Sequence, residues 1–338
     1  MSSSRQTPPR LTADVERGFS ALEAGRIDDA VELLEKLQKI DRKDSDVVAL
    51  TAAIADARGE IEQALASYLE LSELRPDDPM PRICVARIQL HDQGNPEDAL
   101  ETIDAVFDFI DEERDLVDAV MLRVEALLAL DDLEAARTAL AELSTSVIDE
   151  PDLALDLAEL ALAAEDFPAA KRWIELGRAE PELLADALHL LGRVYEATEE
   201  RTAMVETWKQ VRVFDVAAPP GLVTMSEDEM ARIAEAALAE LSAEAHKNLE
   251  RVAILIEDLP SDALIEDGVD PRLFGLFQGS AMAGGAMTVT TIHLFRKNLE
   301  RTALDLDQLA EEVRITVLHE TAHFFGLDEE DVAKLGLD

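Results

Sequence analysis

One short phrase, Gly-x-(Ile/Leu/Pro)-x-x-Ala, recurs along the first two thirds of this 338-residue chain and constrains its fold more than any other feature. Copies stand at Gly25-Arg-Ile-Asp-Asp-Ala30, Gly59-Glu-Ile-Glu-Gln-Ala64 and Gly94-Asn-Pro-Glu-Asp-Ala99, at spacings of 34 and 35 residues. Degenerate copies follow at Asp131-Asp-Leu-Glu-Ala-Ala136 and Glu165-Asp-Phe-Pro-Ala-Ala170, and a final one puts Met204 in the alanine position. Between copies lie two amphipathic segments of helical length. A fixed period of this size marks one supersecondary unit that cannot bury its apolar face alone and stacks on the next. The expectation is a series of helix pairs, each joined by a tight turn, with a small residue opening the second helix so that the two pack closely.

A period near 34 with that small residue resembles the tetratricopeptide repeat, over residues 11–218 and six repeats. Arg75-Pro76 stands in the family's closing proline position, and Leu191-Gly192 with Tyr195 match its Leu-Gly and Tyr positions. Two features depart from the pattern. The family's aromatic positions are mostly aliphatic here, and the repeat between Ala99 and Ala136 is about two residues too long. The resemblance implies an α-solenoid whose concave face takes a protein or an extended peptide, as substrate or partner.

Composition agrees with a mainly helical chain: alanine, leucine and glutamate dominate, aromatics are 4%, and Gly and Pro are sparse. With 73 acidic against 31 basic residues the net charge is −42, a field that repels nucleic-acid phosphates and anionic lipid headgroups. Nucleic acid and membrane surfaces are therefore not expected as partners. Either a solvated acidic surface or a host with high internal salt accounts for the charge. Cys84 is the single cysteine, so no intrachain disulfide forms, and a reducing compartment is expected. No signal-peptide core or long apolar run occurs, so the reading is a soluble cytoplasmic protein with a disordered tail over residues 1–10.

Helical periodicity breaks at Ala217-Ala-Pro-Pro-Gly221, and a second domain is expected over residues 225–338. Ser226 with Glu229 forms a capping-box pattern opening a helix to about residue 242, and residues 250–259 read as a buried strand. Phe274-Gly-Leu-Phe-Gln-Gly279 and Ala283-Gly284-Gly285 read as glycine turns, without the Gly-Lys-Ser/Thr of a phosphate loop. Residues 288–295 read as an edge strand, and Asp305 with Gln308 caps a helix of about 20 residues reaching Gly326. Leu306, Leu309, Val313 and Val317 give that helix an apolar stripe, widened by Leu318, Ala322 and Phe325. The reading is thus an α+β domain, a buried helix on a small sheet.

That helix carries His319-Glu320-Thr321-Ala322-His323. Residues four apart share a helix face, so the two imidazoles can meet one tetrahedral metal, a set that suits zinc. Glu320 lies beside that face, where its carboxylate can take a proton from water without being a ligand. Gly326 ends the helix in a left-handed turn that brings the chain back, making the next acidic residues candidates for the third ligand. The whole pattern, His-Glu-x-x-His-x-x-Gly-x-x-Glu, looks like the minimal zincin-like metallopeptidase domains of bacteria, over about residues 225–338. Ile256-Glu-Asp-Leu-Pro260, Phe274–Gly279, Leu294–Arg301 and Glu312–His319 extend the likeness. It implies zinc held by His319, His323 and Glu329, with Asp328 the second choice, and Glu320 as catalytic base. Residues 281–287 form an insertion not associated with the family. For the oxyanion, zinc itself, His293, Arg296 and Arg301 are the candidates, since no tyrosine lies in the domain. The strand at 288–295 offers an edge for a substrate backbone to join. Two functions follow, a zinc peptidase whose repeats select substrate, or a repeat scaffold whose C-terminal metal domain is structural or docks a partner.

Overall fold

The computed structural model describes residues 9–110, 113–143, 150–241, 249, 252–279 and 290–327. The tail at residues 1–8, the insertion at 281–287, Asp328 and Glu329 lie outside them. The chain divides into two compact units, Met1–Gly177 and Arg178–Asp338.

Among its described residues the first unit holds five helix pairs. They are α1 (Pro9–Glu23) with α2 (Ile27–Asp41), α3 (Ser45–Ala57) with α4 (Ile61–Leu74), α5 (Met80–Arg87) with α6 (Pro96–Asp104), α7 (Glu113–Ala129) with α8 (Leu133–Leu140), and α9 (Pro151–Ala163) with α10 (Phe167–Gly177). A sixth pair, α11 (Leu184–Ala197) and α12 (Arg201–Ala217), opens the second unit. Each pair turns on one left-handed residue. Gly25, Gly59 and Gly94 have φ of 69, 68 and 61°, and Asp131, Glu165 and Glu199 hold the same place at 60, 54 and 59°. The turn is thus conformational before it is chemical: where glycine is missing, an acidic residue takes the same backbone. In five of the six turns this residue and the next return amides to the preceding helix, as Gly59 N to Asp56 O and Glu60 N to Ala55 O at 2.9 and 2.8 Å. The residue opening each second helix, Ala30, Ala64, Ala99, Ala136, Ala170 and Met204, is buried, as close helix approach requires.

The irregular spacings are absorbed locally. Between Gly59 and Gly94 there is one residue more than the 34 of the first interval, and α5 runs into a π turn at Ile88–Asp92. Gln93 N bonds Ile88 O and Asn95 N bonds Gln89 O, a widened ladder that takes up one inserted residue. In the longer repeat that follows, a short 3₁₀ turn at Phe107–Phe109 comes between α6 and α7.

After α12 come α13 (Glu227–Ala239), β1 (Val252–Glu257), α14 (Asp262–Asp267), β2 (Gly275–Gln278), β3 (Thr290–Phe295), α15 (Arg296–Thr302) and α16 (Leu306–Phe324). Ser226 caps α13 by accepting from Glu229 N, and Asp305 caps α16 by accepting from Gln308 N at 2.8 Å. The Gln308 side chain accepts from Leu304 N at 2.9 Å, so the cap is reciprocal, one residue further out than in the usual box.

The sheet order is β1-β3-β2, with β3 parallel to β1 and antiparallel to β2. Two expectations are corrected here. The segment around Phe274–Gly279 is a strand over Gly275–Gln278 rather than a turn, and the strand expected at the edge, β3, is central with both sides paired. Alternation within a strand reports its faces and says nothing about its neighbours, which is why the sequence misplaced it. β1 is also only half-buried, since Ala253 and Leu255 face outwards while its other residues are partly covered. Ile292 and Leu294 of β3 pack with Met230, Ala234 and Leu238 of α13 and with Leu309, Val313, Val317 and Phe324 of α16 in one core. The stripe on α16 therefore runs 309-313-317-324, whereas Leu306 and Phe325, counted in the stripe from sequence, are 54% and 39% exposed. Among the described residues no helix is long and apolar enough to cross a membrane.

Candidate metal centre

The last two turns of α16 carry the site. His319 and His323 bring their Nε2 atoms to 3.0 Å, with ring centroids 4.7 Å apart and planes at 76°. Two ligands on a tetrahedral zinc at bonds of roughly 2.0–2.1 Å lie about 3.3 Å apart. The pair is therefore close to the span one ion needs. His323 Nδ1 stands 3.1 Å from the Leu327 carbonyl, an acceptor that can hold the proton on Nδ1 and leave Nε2 with its lone pair, the tautomer a metal requires.

That carbonyl is delivered by the helix end. Gly326, at φ 84°, gives its amide to His323 O at 3.0 Å, and Leu327 N reaches back to Ala322 O at 3.1 Å. This is a Schellman closure, and it folds the chain over the second histidine. Among the described residues no group of three His, Cys, Asp or Glu side chains converges as a metal site. The donor chemistry and separation of the histidine pair fit zinc, and the residues expected to complete the set come immediately after the described segment.

Glu320 is 6% exposed, and its Oε2 accepts from Phe277 N at 2.6 Å. In the antiparallel pair of β2 and β3, Phe295 N donates to Phe274 O, so alternate amides of β2, Phe277 included, point to its outer edge. There the carboxylate of Glu320 takes one as a charge-assisted hydrogen bond, which fixes the orientation of the side chain. Gly275 permits this approach. A Cβ on it would stand 2.5 Å from Thr316 Cγ2, 3.0 Å from Glu320 Cγ and 3.2 Å from Glu320 Oε1. Phe277 then meets Phe324 edge-to-face at 5.8 Å, walling one side with apolar surface. The hydroxyls of Thr316 and Thr321 are satisfied within the helix by Glu312 O and Val317 O. Sequence reasoning missed Gly275 and Phe277, although the glycine inside an apolar run was a signal of close backbone approach.

The residues considered for the oxyanion are otherwise engaged. His293 is buried on the face of the sheet opposite the core residues Ile292 and Leu294, with Nδ1 2.6 Å from Glu257 Oε2 and Nε2 3.2 Å from Thr291 Oγ1. It is neither exposed nor on the side of α16. Arg296 pairs with Asp258 and, at 3.3 Å, with Glu300, and Arg301 pairs with Asp215 at 2.8 Å.

Comparison with known proteins gives two matches along the chain. Residues 249–337 match the family model of zincin-like metallopeptidases, and residues 21–88 match that of the tetratricopeptide repeat. No curated protein matches. Among solved structures the chain is similar to PilW, a widely conserved type IV pilus biogenesis factor, at 15% identity and a TM-score of 0.53, over 61% of this chain and 94% of that one. It is also similar to pilF of Pseudomonas aeruginosa, at 19% identity and TM-score 0.49 over 60% and 91% of the two chains. A third is YrrB, a TPR protein with an unusual peptide-binding site, at 15% identity and TM-score 0.43 over 53% and 90%. At such identities the likeness to PilW concerns the fold alone. The chain is mainly α-helical with a small C-terminal sheet, and it matches tetratricopeptide repeats over residues 21–88 and zincin-like metallopeptidases over residues 249–337.

Proposed function

We propose that this protein is a zinc-dependent peptidase in which His319, His323 and Glu329 hold the metal, Asp328 being the alternative third ligand, and Glu320 is the general base. The observation that carries the reading is the juxtaposition of two imidazole Nε2 atoms at 3.0 Å with a buried carboxylate beside them, held by a strand amide. A structural metal has no use for an oriented base next to its ligands, and structural zinc is closed by four protein ligands where this pattern supplies three. Zinc would supply Lewis-acid polarisation of a peptide carbonyl and would lower the pKa of water towards about 7. Glu320, with Oε2 fixed by Phe277 N–H, takes the proton of the attacking water and passes it to the leaving amine. Phe277 and Phe324 exclude bulk water from one side of the carboxylate. Because β3 is paired on both sides, Thr290–Phe295 cannot take up a substrate backbone as an added strand. The repeats bind the protein or peptide that is delivered, a role of interaction surface common to such stacks.

Metal analysis and hydrolysis of a peptide library test this together. The wild type is expected to carry about one zinc per chain, and His319→Ala or His323→Ala to lose it. Glu320→Gln keeps the shape of the side chain but cannot accept a proton, so it is expected to retain zinc and lose at least about 100-fold in rate. Undiminished cleavage by zinc-loaded Glu320→Gln would sink the reading, and zinc without turnover in the wild type would favour the scaffold function.

A further inference from the structure

Arg272 lies five residues before Phe277, in the segment that leads into β2, and its guanidinium is committed to the sixth helix pair. Nε and Nη2 donate to the two carboxylate oxygens of Asp215 on α12 at 3.1 and 3.2 Å, and Nη1 to Asp186 on α11 at 2.5 Å. Asp215 is 4% exposed and also pairs with Arg301. The backbone around Arg272 is tied as tightly. Arg272 N donates to Asp270 Oδ1 at 2.7 Å, and Asp270 meets His189 Nε2 on α11 at 2.8 Å. The buried Asn298 gives Nδ2 to Pro271 O and Leu273 O at 2.9 and 2.8 Å. Each residue from 270 to 273 is therefore fixed by a side chain or backbone bond from another element, and the next, Phe274, is bonded to β3.

We infer that the Asp186–Asp215–Arg272 clasp is a positioning device for Glu320, making the sixth helix pair part of the machinery of the metallopeptidase site. The inference rests on the reading of Glu320 as the base. β2 begins at Gly275, three residues after Arg272, and Phe277 is its third residue, so the short tied segment 270–274 sets where the strand starts and hence where the Phe277 amide stands. Gly275 sits against Thr316 and Glu320 with no room for a methyl group, so β2 cannot slide towards α16. A shift of β2 away from α16 lengthens the 2.6 Å bond from Phe277 N and takes away that restraint on the carboxylate. Arg272 and Asp215 touch no reacting group. They act through β2.

The test uses the full-length chain with Asp215→Asn and the milder Asp186→Asn, whose side chain is half exposed in the wild type. Amide hydrogen exchange at Phe277 is read against Ile292 and Leu294 of β3 in the metal-free protein. Zinc content and the hydrolysis of a short peptide are read in the loaded one. In Asp215→Asn, Phe277 exchange is expected to rise about tenfold while the β3 amides stay unchanged. Zinc content should hold, and kcat should fall by about 10- to 100-fold at constant KM, the scale of a misplaced catalytic group. Asp186→Asn should move both readouts in the same direction by a smaller factor, and it decides the matter where Asp215→Asn does not fold. Unchanged Phe277 exchange, or a rise shared equally by β3, overturns the inference, because a merely stabilising ion cluster would loosen the sheet as a whole. If wild-type protein cleaves no peptide, the reading of Glu320 as base fails, while the exchange data still decide whether the clasp holds β2.

Discussion

Six residues at equivalent places, Gly25, Gly59, Gly94, Asp131, Glu165 and Glu199, hold left-handed backbone, and only three of them are glycine. A Cβ at Gly59 would meet nothing within 4 Å, so Gly59→Ala isolates the conformational cost, expected to be about 1 kcal/mol of stability in urea unfolding. Glu165→Gly runs the other way. It relieves the strain but gives up an exposed pair with Arg137 and adds unfolded-chain entropy, for a net gain of about 0.5 kcal/mol. Asp270 supplies a pH prediction. Burial by itself pushes its carboxyl up, but the hydrogen bond and charge of His189 and the amide of Arg272 outweigh this and hold it below the usual range. A carboxyl depressed in the folded state stabilises the fold above its unfolded value of about 3.9 and loses that contribution as pH falls through the folded value. Asp270→Asn is accordingly expected to cost about 1–2 kcal/mol at pH 7, with the gap to wild type closing below about pH 4 when both are unfolded in urea.

At the scale of elements, glycines decide how closely two pieces of backbone approach. Gly192 on α11 faces Trp208 of α12, where a Cβ would fall 2.0 Å from the indole Nε1, and Trp208 is fully buried with Leu188, Met204, Val211 and Ile265. Here the Leu-Gly pair read from the sequence is explained by packing: the missing side chain is the seat of the tryptophan. Gly275 does the same between β2 and α16. Gly275→Ala is expected to push Glu320 off the Phe277 amide, lowering kcat for a short peptide by about 10- to 100-fold while zinc content stays unchanged. Equal rates for Gly275→Ala and wild type would show that the carboxylate tolerates displacement. β2 was illegible as a strand because four residues with a glycine at the start carry too little alternation to mark a face.

For the molecule as a whole, the charge of −42 sets the sign of the salt response. Self-repulsion of a surface this acidic weakens the compact state, and raising NaCl from about 0.1 to 1 M cuts the screening length from about 10 to 3 Å. The melting temperature is expected to rise by several degrees over that range. A fall would mean that the surface ion pairs, among them Arg114 with Glu150 and Arg123 with Glu142, outweigh the repulsion. The compact units divide after Gly177, so the helix pair that periodicity groups with the repeats falls in the second unit, where Leu188, Met204, Trp208 and Val211 cluster with Ile265 of α14. Lys209 and Arg201 reach Glu266, and Arg212 donates to Pro260 O at 2.7 Å, tying α12 to α14 and the residues before it.

What the sequence determined by itself is whatever is encoded within a few residues. The repeat turns, the caps at Ser226 and Asp305, the apolar stripe through Leu309, Val313 and Val317, and the shared face of His319 and His323 all follow from spacing along one helix. Even the Gly326 closure was legible, because a left-handed helix end is local chemistry. The tertiary structure decided the rest. Phe277 meets Glu320 across 43 residues and Arg272 meets Asp215 across 57, separations that leave no periodic trace in the chain. The central place of β3, the burial of His293 on the sheet face away from Ile292 and Leu294 and the engagement of Arg296 and Arg301 by carboxylates likewise depend on which distant segments pack together. That choice is made by the summed burial of the core, and a single strand or a single charged side chain carries no record of it.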